Sequence, residues 1–240
     1  MKKLISTLKI ATLLFFAGSM TAQDYANRAF TSSLFIVDEY VKRQDGNMNY
    51  DDEDSYTGTP FNHPSYLLGN VYNGDELLAN DVALRYNAVA DEMEIKESLV
   101  SPDEDARVLT KSPDIYVKIM DDIYVFVPYM GGVEGGGYFQ VMYEGTKVDL
   151  FKKLKKDFTP EKKATSSITR DIPAKFTDDI TYYLADKDGK FYELPNSRRK
   201  KLKVFAKKED DMKDYVNDND LDLNEEKDLM RAVKHFDSEM

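Results

Sequence analysis

Histidine, the side chain best suited to moving protons near neutrality, occurs only twice, at His63 and His235. His63 stands beside Pro64 and Ser65, so the chemistry this spacing invites is a base activating a hydroxyl. Adjacent loop residues do not reach triad geometry, and the chain has no nucleophile elbow, so we read His63 as a surface loop residue. His235 falls near the carboxy end of a helical stretch, where an imidazolium is favoured by the helix dipole. With no cysteine and two distant histidines, a zinc site is not expected.

Oxygen ligands are more plentiful. Asp218, Asp220, Asp222 and Asn224 alternate like the first ligands of a calcium loop. Counted from Asp218, however, the sixth position is Leu223 and the twelfth is Leu229, where glycine and a bidentate glutamate belong. Asp186-Lys187-Asp188-Gly189 is too short for such a loop and has the form of a hairpin turn. Gly131, Gly132, Gly135, Gly136 and Gly137 invite a phosphate-loop reading, but no Gly-Lys-Ser/Thr follows and the next segment reads as a strand. Carboxylate pairs are too numerous to pick out a hydrolase, because sequence does not supply their separation. No cofactor is expected.

A basic block runs through Arg198, Arg199, Lys200, Lys201, Lys203, Lys207 and Lys208. It suits an acidic partner surface or acidic lipid headgroups, against the simpler reading of a solvated helix face paired with Glu209, Asp210, Asp211 and Asp214. The net charge of −11 makes nucleic acid an unsuitable partner.

The elements that must position these groups are mostly strands. Val82, Leu84, Tyr86 and Ala88 alternate with other residues, as do Ile115, Val117 and Ile119, and then Ile123, Val125 and Val127. Asn73-Gly74 and Asp188-Gly189 signal hairpins, because their residues accept positive φ. The many tyrosines fall largely in these strands, where the ring packs and the hydroxyl can stay wet. Short-range hairpins in series predict a mainly β (α+β) fold: an antiparallel meander forming a barrel-like or sandwich-like sheet over 61–195. Leu202, Phe205, Met212 and Val216, then Leu229, Val233 and Phe236, predict a C-terminal helical pair over 196–240 packed on the sheet. Asp222 and Glu225 have capping-box spacing and predict the start of the last helix. Phe30, Leu34, Val37 and Val41 predict a helix over 24–43, followed by an acidic linker that closes an N-terminal segment at residue 60.

The first 22 residues have the order of a secretory signal. Lys2, Lys3 and Lys9 precede an apolar run from Ile10 to Ala17, and small residues follow up to Ala22. The run is too short to span a bilayer, and no later stretch is long and apolar enough. Removal of the three lysines would make the remaining chain still more acidic. Without cysteines, stability outside the cytoplasm would come from the core alone.

Pro64-Ser65-Tyr66-Leu67, Gly69 to Gly74, Leu84-Arg85-Tyr86-Asn87 and Gly137-Tyr138-Phe139-Gln140-Val141-Met142 occur in an order that resembles a group of uncharacterised exported β-rich proteins common in the Bacteroidota. The resemblance implies a cell-envelope location and a β-rich fold, and it implies no activity. Together these readings lead to an exported protein, periplasmic or outer-membrane-associated, that binds another envelope protein or plays a structural part and is not an enzyme. Peripheral membrane association is compatible with them. The competing readings are a small-ligand or cation-binding module using the β-domain interior, and a carboxylate-based hydrolase.

Overall fold

The computed structural model describes residues 41–43, 56–128, 136–164 and 170–240. Within them the strands are β1 (Val41–Arg43), β2 (Tyr56–Thr57), β3 (Leu67–Asn73), β4 (Glu76–Asn87), β5 (Glu92–Lys96), β6 (Arg107–Leu109), β7 (Ile115–Ile119), β8 (Asp122–Val127), β9 (Gly137–Glu144), β10 (Val148–Thr159), β11 (Ala174–Asp186) and β12 (Phe191–Leu194). Three α-helices follow: α1 (Arg198–Lys203), α2 (Glu209–Asp218) and α3 (Glu226–Glu239). All the strands join one sheet, ordered β1-β6-β5-β4-β3-β7-β8-β9-β10-β11-β12, with β2 on β11. Apart from the parallel β2–β11 pair, its ladders are antiparallel. The fold is therefore the mainly β meander with C-terminal helices that the alternation predicts.

The sheet is not closed, but it curls strongly. The turn after β4 reaches β10, where the Lys156 N–H donates to the Ala88 carbonyl at 3.3 Å and the Tyr86 hydroxyl donates to the Leu154 carbonyl at 3.2 Å. Asp91 lies in the same seam, accepting from the Tyr86 hydroxyl and from the Tyr138 N–H. Gly137, at φ +118, begins β9 beside this carboxylate; a Cβ there would overlap Asp91 and the Lys153 ammonium. Inside the curl the alternate residues Val71, Leu84, Tyr86, Met93, Ile95, Val117 and Tyr124 form one buried cluster. Burying these side chains is the main term that holds the curl together.

A second cluster joins Val148, Leu150 and Leu184 of the sheet to the helices. In α3, Leu229, Ala232, Val233 and Phe236 follow helical spacing and face this core. Between α2 and α3 the loop inserts Leu221 and Leu223, both buried, so the connection itself contributes packing.

Several local expectations change. Val41 lies in a strand paired with β6, which replaces the end of the helix expected over 24–43; the rest of that segment lies outside the described residues. The acidic linker and the glycine cluster lie mostly outside them as well. The C-terminal helical pair is present as expected, with its first member divided after Lys203 by a short 3-10 turn into α1 and α2. The last helix starts at Glu226, not at a box opened by Asp222, and Asp222 Oδ1 instead accepts from the Asn224 N–H. Residues 76–87 form one long strand across an irregularity at Asp81, whose φ of +53 permits the shift and whose N–H donates to Asn70 Oδ1.

Candidate functional site

On the outer face of β4 and β5, Arg85 stands directly across from Glu94, and Ala83 from Lys96. The alternation that turns Leu84, Tyr86, Met93 and Ile95 inward turns these four outward. They do not meet open water. The segment after β2 crosses over them, anchored by the Asn62 N–H to the Tyr86 carbonyl and by the Ala88 N–H to the Pro60 carbonyl, each at 2.9 Å. The result is a cleft of about 580 Å³ with walls of Tyr56, Pro60, Phe61, Pro64 and Tyr66, and with Arg85, Lys96 and Asp103 at its base.

Arg85 is held on both faces and along its edge. Its guanidinium lies 3.6 Å from the centre of the Phe61 ring and 4.0 Å from that of Tyr66. Nε and Nη2 both donate to Glu94 Oε2, at 3.0 and 2.8 Å, and Nη1 donates to the Pro64 carbonyl at 3.3 Å. Glu94 has a side-chain exposure of 0%. It also accepts from the Tyr66 hydroxyl at 2.8 Å and from Asn87 Nδ2 at 3.2 Å. Burial, and next the Glu94 charge, drive the Tyr66 hydroxyl far above its ordinary value, so it stays protonated and donates. Lys96 gives its ammonium to the Ser101 carbonyl and to Asp103 Oδ1, both at 2.7 Å, with the Tyr66 ring 4.4 Å away. The two cations are thus matched by two carboxylates; Tyr66 is buried against them, and Pro64, Ser65 and the Asp103 carboxylate are exposed along the cleft.

The void inside the curl is different. It measures about 10 Å³ and is lined by Asn62, Tyr86, Tyr124, Tyr138, Gln140, Lys152 and Leu154. That is about the room one water needs. Tyr138 borders this void, its buried hydroxyl finds no partner among the described residues, and burial raises its pKa far above the ordinary value.

The residues singled out from sequence fall elsewhere. His63 is exposed, and His235 stacks on Tyr215 with ring centres 3.7 Å apart. In the basic block, Arg199, Lys200 and Lys203 are exposed, Arg198 donates to Asn217 Oδ1 at 2.7 Å, and Lys208 pairs with Asp211 at 3.3 Å. The side chain of Lys207 lies outside the described residues. Lys201 leaves the proposed patch: it is 2% exposed and donates to the Leu223 carbonyl at 2.6 Å. Burial lowers its pKa, while Asp222 acts in the opposite sense. A helix buries one stripe in three or four, and in α1 that stripe carries Lys201 and Leu202. Among the described residues no three acidic or histidine side chains converge as a metal site, and no helix is long and apolar enough to cross a membrane.

Sequence reading did not select Arg85, Glu94 or Lys96 as a site. The available signal was a strand, Glu92 to Lys96, with charges at every second position, of which Glu94 faces Arg85 on β4. The covering segment that turns a wet sheet face into a cleft has no periodic signature.

No protein-family model, curated protein or solved structure matches this chain.

Proposed function

We propose that this chain is an exported, non-enzymatic cell-envelope protein that binds another protein, and that the partner docks in the cleft over Arg85. The observation that carries the reading is the internal pairing of the cleft's charges. Arg85 is engaged with Glu94, Tyr66 and Pro64, and Lys96 with Ser101 and Asp103. These groups hold their own walls in place, so a partner meets a pre-formed cleft in which the half-buried Tyr56 and Phe61 rings stand beside the exposed Pro64, Ser65 and Asp103. Pre-organisation of this kind lowers the ordering cost of association. The signal-like amino terminus and the resemblance to exported Bacteroidota proteins support the location.

Filling the cleft tests the proposal without disturbing its base. Ser65 is exposed on the wall, so Ser65→Trp adds bulk and removes no internal partner. Affinity capture from envelope extracts should yield a reproducible, salt-sensitive partner with the natural chain and lose it with Ser65→Trp at unchanged thermal stability. Equal capture by both chains would refute docking in the cleft.

A small ligand is the second reading, and the cleft volume favours it, since it falls in the range of small-molecule pockets. The interior void has room only for a water, so such a ligand would use the cleft and not the inside of the curl. A thermal-shift screen with calcium, sugars, lipids and haem would separate this reading from the first.

A further inference from the structure

Beside the cleft, residues 98–101 form a tight turn. The Ser101 N–H donates to the Ser98 carbonyl at 3.2 Å, and the two serine hydroxyls share a hydrogen bond of 2.9 Å. The Ser98 N–H also donates to the Ser101 hydroxyl at 3.2 Å. From beneath, the buried Lys96 ammonium donates to the Ser101 carbonyl and to Asp103, tying the turn to β5. The turn is therefore fastened at both ends and below.

What it presents is unusual for a turn. The two central positions, where Gly, Pro, Asn, Asp or Ser are the residues with a local reason to be, hold Leu99 and Val100. Leu99 is exposed and also borders the cleft, and Val100 is 93% exposed. Nothing in the turn needs these side chains to be apolar. A rigid, fully presented aliphatic pair is the form of an anchor that enters a partner's pocket.

The surroundings select the partner. Glu97, Glu104 and Asp105 are exposed close to the turn, as is Arg107, while Asp103 is paired with Lys96 and Arg85 and Lys96 is buried. This net acidic collar opposes insertion into an anionic membrane surface. It equally opposes a second copy of this chain, which carries the same collar and a net charge of −11. We infer that Leu99 and Val100 anchor this protein in an apolar pocket of a partner protein whose rim is basic. The inference rests on the proposed binding role and adds the chemistry of the partner to it.

A photo-crosslinking residue placed at position 100 of the full chain, in the cells that make it, tests the inference. Val100 touches little, so the substitution leaves the fold intact. The expected result is an adduct with one protein, mapped to a pocket of apolar residues bordered by lysine or arginine. Leu99→Ser should weaken that association about tenfold, as the loss of one buried aliphatic side chain does, and 0.5 M salt should weaken it further, by about as much again. A probe at the exposed Glu193 on β12 should give no such adduct. Adducts with phospholipid, with a second copy of this chain or with an acidic-rimmed protein would each overturn the inference, and so would no adduct at all. The two proposals fail separately. A Val100 adduct that survives Ser65→Trp refutes cleft docking and keeps the anchor. Capture that is lost in Ser65→Trp but leaves position 100 uncrosslinked refutes the anchor and keeps the cleft.

Discussion

Glu94 at the base of the cleft and Asp237 at the end of α3 are both carboxylates withdrawn from water, and they are held by opposite means. Glu94 sits against a guanidinium, so its charge is met by a charge, and Tyr66 and Asn87 also donate to it. Asp237, 5% exposed, is met by dipoles. It accepts from the backbone N–H groups of Thr146, Lys147 and Val148 and from the hydroxyls of Thr146 and Tyr143, at 2.7 to 3.1 Å. The first arrangement fixes side chains on a surface that a partner can touch. The second fixes a backbone turn, the β9–β10 connection, against the last helix. A buried ion pair specifies the shape of a cleft; a ring of amides specifies where two elements meet.

The comparison predicts unequal costs. Glu94→Gln leaves Arg85, between two rings, with only the exposed Asp103 carboxylate 4.0 Å away as counter-charge, and breaking a buried pair in this way costs about 3–5 kcal/mol. Denaturant unfolding should show the loss as a lower midpoint at unchanged slope. Asp237→Asn keeps the volume but turns a donor toward amides that already donate, at a cost of about 2–3 kcal/mol. If Asp237→Asn proved the more damaging of the two, counter-charge would not be the stronger device here.

Acid separates the two further. Burial alone would raise the Asp237 carboxyl, but the Thr146, Lys147 and Val148 amides and the Tyr143 hydroxyl outweigh it and hold the group well below the usual carboxylate range. The unfolded chain therefore takes up this proton first. The clamp's contribution is complete above about pH 4, the ordinary aspartate value, and is lost as the pH falls from there through the depressed folded value. Stability measured from pH 6 down to pH 2 should fall less steeply in Asp237→Asn than in the natural chain. Parallel curves would remove Asp237 from the acid response.

How legible these regions are in the sequence follows from the same physics. Alternation in β4 and β7 reveals the inner face, because burying every second residue leaves a period of two, whereas in β8 the expected Ile123, Val125 and Val127 take the other phase and Tyr124 is buried with Phe126 packed on the core. Helical spacing reveals the α3 stripe for the equivalent reason. Glu94 and Asp237 leave no such trace: each is a charged residue type that ordinarily points to water, and each is buried by a segment distant in the chain. The segment covering Glu94 has Phe61 and Tyr66 as its contacts, and the turn gripping Asp237 lies some ninety residues upstream. The basic block misled for a related reason. Composition marks Lys201 as one of seven, and only the helix phase shows that it faces the core.

The smallest expected effect tests whether a hydroxyl matters because it is buried or because it has a partner. Tyr143 and Tyr138 both lie on β9. The Tyr143 hydroxyl donates to Asp237 Oδ2 at 3.1 Å, whereas the more deeply buried Tyr138 hydroxyl, on a residue 1% exposed, meets no acceptor among the described residues. Burial by itself would make Tyr138 the costlier loss. Hydrogen bonding reverses the order, because a bond to a charged acceptor is worth about 1–2 kcal/mol, while removing a polar atom that has no protein partner forfeits no such bond. Tyr143→Phe should therefore lower stability by about 1–2 kcal/mol and Tyr138→Phe by less than about 0.5 kcal/mol, compared in the same denaturant series. In Asp237→Asn the Tyr143→Phe penalty should shrink, as a double-mutant cycle on a directly bonded pair requires. A Tyr138→Phe cost equal to that at Tyr143 would show that depth, and not the carboxylate at the end of α3, sets the value of these hydroxyls.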